Sequence, residues 1–416
     1  MNQSSEAKLE QSSLWGTAKL NRSELAPEWG LDHFDPWDRR ISYSNIWPIY
    51  RKMREKAAAH YSDAHNGFWS IVRYREVKAA ARDHRLFSSA SGTSIGEHHN
   101  DRSTPPKAPI EYDPPQHTRF RKAIQEPFLP RKMDDFTEGV RATVRELLDQ
   151  IGEMGSFDIV TDLAEPVPQE VLSKIVGFDE DTKATNRELV LKVVNADLAE
   201  KQQAWKDFHS FLRGEIRSRQ ADPRGDFLSH LCVDEFDGAK FSEDELVSML
   251  AALALAGHHT AINGISSVLR RVSDERIKSA YLSDRALGTK IVEETLRCDP
   301  PIHLEARTTT EAVEVDGVKI PANSQVALLY ASGNHDDAEF ANPEEFDLSR
   351  DSNQHLSFGH GIHTCFGMHL ARLEMNIVLE ETLTRFPHYR LVGPQIDSGM
   401  VYGHHMGWES IPASVE

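Results

Sequence analysis

Phe358-Gly359-His360-Gly361-Ile362-His363-Thr364-Cys365-Phe366-Gly367 is the stretch whose reading decides the fold, and it runs straight into an amphipathic helical pattern. A cysteine so placed suits a thiolate ligand to haem iron. Phe358 can lie flat against the sulfur and shield it from water. Gly361 and Gly367 let backbone approach a porphyrin where a Cβ would collide. Backbone N–H groups at the start of the following helix point towards the sulfur and favour the thiolate. Within the run Phe358, Gly359, His363 and Cys365 are read as cofactor-binding. By composition, F-x-x-G-x-x-x-C-x-G should arise by chance about 0.0004 times in such a chain, so the competing reading, a glycine-rich turn before an ordinary buried cysteine, carries little weight.

Working outward, the longest helix is expected from Ser242, which forms a capping box with Glu245, to about Val272. It carries Ala256-Gly257-His258-His259-Thr260. At 100° per residue Ala252, Leu253, Ala256, Thr260 and Asn263 share one face, with small side chains in its middle. Laid over a haem, that face leaves room for dioxygen at Ala256 and Gly257, and Thr260 can hydrogen-bond the oxygen or the Ala256 carbonyl four residues back. Close helix packing with a self-satisfied threonine is the alternative.

Glu294 and Arg297 are three apart on a helix and therefore neighbours. Followed by Pro300-Pro301, they are read as a buried pair organising the haem-side core. His117 and Arg121, four apart on one helix face, Arg307 and His363 supply cations for two haem propionates, although any one of them alone suits a solvated surface.

The chain has 416 residues, 39% hydrophobic and 27% charged, with a net charge of -18. This composition fits a globular protein with a large core and disfavours attraction to nucleic acid or anionic membrane. The first 50 residues hold neither a signal-peptide pattern nor an apolar run able to span a bilayer; a cytoplasmic protein is expected. Its cysteines, Cys232, Cys298 and Cys365, are too few and too widely spaced for a disulfide framework or a zinc cluster. Residues 1–46 read as an N-terminal arm and 47–416 as one mainly α body with a minor β region. Strands are expected at Phe68–Val72, Val313–Ile320 and Gln325–Tyr330, and a long loop at Ser88–Pro109.

With the cysteine loop, the threonine helix and the Glu/Arg helix in this order, the chain resembles the cytochrome P-450 family from about Trp47 onward, and is similar to its soluble bacterial, ferredoxin-dependent members. The resemblance implies a helix-rich triangular fold, haem b (iron protoporphyrin IX), Cys365 as the axial ligand of the haem iron and Thr260 as the oxygen-activating alcohol. It implies Glu294 and Arg297 as structural, and His117, Arg121, Arg307 and His363 as propionate contacts. The implied activity is insertion of one atom of O2 into a small to medium hydrophobic substrate, with electrons from NAD(P)H through a separate reductase and ferredoxin. Two positions depart from the family pattern. His259 replaces the acid usual before the distal threonine, and is expected to border the oxygen pocket and relay protons with a pKa near 6.5. Glu345 stands where Arg or His often completes the Glu/Arg triad, with Arg350 as a compensating candidate. Arg119, Lys122, Arg131, Lys132 and Arg372 suggest either a basic docking patch or a plain solvated face. Substrate contacts are expected from Ser88–Pro109, Leu189–Leu198, Ala252, Leu253, Leu255, Ile302–Leu304 and Val401–Met406. A peroxide-using haem enzyme on the same scaffold and a non-enzymatic haem-binding or gas-sensing protein are the rival functions.

Overall fold

The computed structural model describes residues 31–38, 40–96, 106–195 and 200–415. Helix α1 (Ile46–Lys56) leads through β1 (Ala59–Ser62) and β2 (Phe68–Ile71) to α2 (Tyr74–Arg82) and β3 (Phe87–Ser88). A helical stretch follows: α3 (Gln116–Ile124), α4 (Met133–Met154), the short β4 (Ser156–Asp158), α5 (Pro166–Val176), α6 (Glu180–Asn195), α7 (Lys201–Ala221), α8 (Phe227–Val233), α9 (Glu243–Val272), α10 (Glu275–Ser283) and α11 (Gly288–Cys298). Then come β5 (Glu305–Thr309), β6 (Val313–Val315), β7 (Val318–Ile320), β8 (Gln325–Leu328), α12 (Tyr330–Asn334) and α13 (Met368–Arg385). The chain closes through β9 (Arg390–Leu391), β10 (Ile396–Asp397), β11 (Trp408–Ser410) and β12 (Pro412–Ser414).

The axis of this body is α9, about 45 Å long at 1.5 Å per residue. The expected capping box forms: Ser242 Oγ accepts the Glu245 N–H while Glu245 Oε2 accepts the Ser242 N–H at 2.7 Å. Acids fill its first turn and Arg270 and Arg271 its last, both favourable to the helix dipole. Its apolar residues are buried on several faces, as in a central core helix, and Val247, Ile262 and Val268 join one hydrophobic cluster with Val144 of α4, Phe208 of α7 and Val378 of α13.

The main sheet has the order β1-β2-β8-β5-β3, and smaller sheets lie elsewhere. Where one strand was expected over Val313–Ile320, the chain makes a hairpin, β6 against β7, because Asp316 and Gly317 both take positive φ (46° and 80°). Asp-Gly is a strong signal for such a turn. The expected strand to Tyr330 stops at Leu328, and Tyr330 opens α12. Of the expected arm, residues 1–30 lie outside the described residues, while Phe34, Ile41 and Ile46 are buried in the core. Packing therefore begins before residue 47. Within the expected loop Ser88–Pro109, residues 97–105 lie outside the described residues, as do 196–199 of the Leu189–Leu198 region.

Glu294 and Arg297 form a buried bidentate pair at 2.7 and 2.9 Å. Arg350 Nε reaches Glu294 Oε1 at 3.0 Å and Asn353 Nδ2 reaches Oε2 at 2.9 Å. Burial alone would raise the Glu294 pKa; the guanidinium of Arg297 and the other donors hold it below the ordinary carboxylate value. Glu345 takes part through its backbone only, accepting from Arg297 Nη2 at 2.9 Å while its side chain is exposed. Arg350 thus fills the third place of the triad.

Candidate active site

The cysteine loop closes on itself through the Cys365 N–H, which donates to the Phe358 carbonyl at 2.8 Å. The sulfur accepts the N–H groups of Gly367 and Met368 at the start of α13, as the sequence suggested. Burial nevertheless raises the Cys365 thiol above its ordinary pKa, against those bonds and the nearby Arg121 and Arg372. The same residue is exposed by surface accessibility. The side chain thus keeps open surface at the sulfur while protein crowds its other sides.

The contacts of the loop glycines with the rest of the protein differ between the two. Gly361 has φ +77°, and a Cβ there would stand 2.5 Å from the Ala81 carbonyl oxygen, so the residue lets the loop press on the end of α2. At Gly367 a Cβ would meet the cysteine sulfur at 3.8 Å, an ordinary contact. Phe358 lies beneath the Arg372 guanidinium, 4.5 Å from its ring centroid.

Helix α9 packs against α13, the helix that follows the cysteine loop. It meets α13 where Gly264 receives Met375, whose Cε lies 2.2 Å from the position of a would-be Cβ. Towards its N-terminus the same helix carries Ala256, exposed in the middle of a buried element, with Ala252 and Thr260 half-buried. Thr260 Oγ1 donates to the Ala256 carbonyl at 2.7 Å, the back-bond anticipated from the spacing. Gly257 departs from expectation. Its missing side chain makes room for Leu172 of α5, 3.2 Å from a would-be Cβ, and with His258 it opens onto a separate cleft.

His117, Arg121 and His363 gather beside the cysteine loop. The His117 and His363 rings meet edge to face at 4.5 Å. Arg121 Nη1 donates to the Ile362 and Thr364 carbonyls at 3.1 and 2.6 Å, fixing α3 to the cysteine loop. Burial, then Arg307, His117 and Arg121, push His363 down to about 2, and burial with Arg121 pushes His117 down to about 4. His117 Nε2 is buried without a hydrogen-bond partner among the described residues. Such a corner calls for an anion rich in acceptors, and the two carboxylates of a haem meet that need. The residues present fit the group.

His259 and His258 diverge as the helical wheel predicts. His258 faces Gln169 on α5 at 3.1 Å, whereas the His259 ring lies 5.8 Å from His405 and 6.1 Å from Tyr402. The expected pKa near 6.5 does not hold: burial, with neighbouring His258, His405 and His404, drives His259 well below it. The proposed basic patch is also altered, since every member has an acidic partner. Arg119 pairs with Glu245, Lys122 with Asp237, Arg131 and Lys132 with Glu126, and Arg372 with Glu293. The sequence reading missed Asn353 and Ser89, whose Oγ lies 3.2 Å from His363 Nε2; neither sits in a motif.

The cytochrome P450 family model matches residues 174–395, and relatives named as cytochromes P450 align with most of the chain. The chain belongs to the cytochrome P450 family. This P450 is 32% identical over 364 residues to the cyclomarin C epoxidase of Salinispora arenicola, covering 83% of this chain and 90% of that one. It is 34% identical over 357 residues to the erythromycin C-12 hydroxylase of Saccharopolyspora erythraea, covering 80% and 85%. Among solved structures, a mutant of P450 EryK in complex with erythromycin B superposes with a TM-score of 0.80 at 30% identity, covering 89% of this chain and 95% of that chain. Membership makes the protein a P450 monooxygenase, an oxidoreductase, and implies haem.

Proposed function

We propose that this P450 inserts one atom of O2 into a small to medium hydrophobic substrate, with electrons from NAD(P)H delivered by a separate reductase and a ferredoxin-type protein. The observation that carries the reading is Cys365, exposed at its sulfur, which is capped by two backbone N–H groups, in a loop that Arg121 ties to α3, where the buried His117 Nε2 has no partner among the described residues. Cys365 ligates the iron of haem b, with Phe358 and Gly359 forming its loop. His117, Arg121, Arg307 and His363 hold the haem carboxylates. When bound, the haem supplies the activation of dioxygen that no side chain can perform.

The chain's own residues do the rest. Ala256 keeps the centre of α9 free of bulk, so a small molecule fits beneath it. Thr260 holds a proton on Oγ1, now parked on the Ala256 carbonyl, and can turn it away from that bond. His259, neutral at rest, can accept a proton at its unprotonated ring nitrogen as it releases the proton held on the other. The peroxide-using alternative draws on the same observation, because no carboxylate precedes Thr260.

The test is the reduced protein with carbon monoxide. Wild type should show the strongly red-shifted band of thiolate ligation and Cys365→Ala should lose it; a variant that keeps the band removes the assignment. Product formed from hydrogen peroxide without redox partners, at the rate seen with them, would favour the alternative.

A further inference from the structure

The loop at Val401–Met406 places two histidines beside α9. It is stitched to the segment after α11: the His303 N–H donates to the His404 carbonyl at 2.8 Å, the Met406 N–H donates to the Pro301 carbonyl at 3.0 Å, and Ile302 bridges His405. Its far side is held by the Tyr402 hydroxyl, which donates to the Val194 carbonyl of α6. The backbone is therefore fixed on both sides, yet both imidazoles remain only partly buried, 4.3 Å apart, with His405 facing His259.

The protonation of His404 follows from its partner. Its Nδ1 lies 2.7 Å from the Tyr402 carbonyl, which only accepts, so Nδ1 carries the hydrogen. Burial, with Lys107, pushes the ring down to about 4, so it is neutral at pH 7 and Nε2 presents a lone pair. No described residue donates to that nitrogen. Beside it, His405 Nδ1 is buried without a partner among the described residues. Lys107 stands near both rings, and its segment is fixed to α9 because the Ala108 N–H donates to Ser248 Oγ at 2.9 Å. Ser248 lies eight residues before Ala256, about 12 Å along the helix.

We infer that His404 and His405 form a hydrogen-bonding subsite for a neutral hydroxyl group, so that the substrate of this P450 is a lipophilic alcohol. A hydroxyl donates to His404 Nε2 and its oxygen accepts from His405. A carboxylate brings no proton for the His404 lone pair. An ammonium finds no anionic partner in the two imidazoles, and Lys107 is already paired with Glu111. A hydrocarbon leaves both imidazoles unsatisfied, the costly outcome for buried polar groups. The inference rests on the proposed monooxygenase reading, with the substrate bound beside α9.

Matched probes test it on the haem-loaded protein: decan-1-ol, a bicyclic terpene alcohol and a sterol, each beside its methyl ether, with decanoate as the anionic arm. Binding is read by calorimetry and by the shift of the ferric Soret band. At least one alcohol should bind about tenfold tighter than its ether, and decanol tighter than decanoate. His404→Phe should reduce the alcohol preference to about twofold or less, while His404→Gln, which keeps an acceptor, retains it; His405→Leu gives a second reading if the Phe variant does not fold. Equal binding of every alcohol and ether, stronger binding of decanoate, or no binding by any alcohol overturns the inference. A wild-type protein lacking the carbon monoxide band would instead sink the monooxygenase reading, which separates the two failures.

Discussion

Replacing Arg350 with Met should destabilise the protein measurably. Arg350 gives Glu294 one charged hydrogen bond at 3.0 Å and ties the Ala341 and Asn342 carbonyls at 2.8 and 3.1 Å. Those carbonyls belong to exposed residues and will find water. The loss is thus chiefly the charged bond, about 1.5–3 kcal/mol. Glu294 keeps Arg297, Asn353 and the Asp347 N–H, so it is not left bare. Removing Arg297 instead would leave the buried carboxylate without its main counter-charge, a cost of about 3–5 kcal/mol. At about 2.1 cal/mol/K per residue, a chain of 416 residues has an unfolding entropy of about 0.9 kcal/mol/K. Arg350→Met should then lower Tm by about 2–3 °C, Arg297→Met by about 3–6 °C, and Glu345→Ala by less than about 0.5 °C, because its side chain makes no bond in the cluster. Differential scanning calorimetry of the three haem-loaded variants decides it. If Glu345→Ala costs as much as Arg350→Met, the assignment of the third triad member is wrong.

Other expectations follow from the candidate site. Thr260→Val should leave NAD(P)H consumption running while product falls and peroxide rises; unchanged coupling would show that the hydroxyl plays no part. His259→Gln should lower turnover yet leave the shape of the pH profile between about 5.5 and 7.5 intact, since His259 is already neutral there; a profile that flattens would mean the imidazole titrates in that window. His258, buried and pushed down to about 4, binds fewer protons folded than unfolded between about pH 4 and 6.5. Its contribution is therefore present above 6.5 and lost as pH falls, about 2 kcal/mol between pH 7 and 5. Melting of His258→Gln at both pH values should show a smaller loss than wild type, and an equal loss would contradict the shift.

The features legible in the sequence were those with a local rule behind them. Ser242 and Glu245 are three apart and cap α9 as the spacing requires, and Thr260 finds the carbonyl four residues back. Cys365 could be singled out because its neighbours are glycines. What Gly361 packs against could not be read, since its partner Ala81 is distant in sequence, and the same holds for Gly257 of α9 and its partner Leu172. Arg350 was a candidate for the triad only because an arginine stood nearby; the bond to Glu294 spans 56 residues. The pKa of His259 was misjudged for the same reason, as the residues that bury it lie on another loop. The Asp316-Gly317 hairpin was local and should have been found.

The bond from Arg121 to the Thr364 carbonyl joins positions 243 residues apart. Closing so long a loop gains nothing until the intervening helices have settled, so during synthesis the corner around His117 waits for nearly the whole body to be in place. Haem retention should therefore fall in any variant that leaves either α3 or the cysteine loop out of place, however well the rest of the body folds.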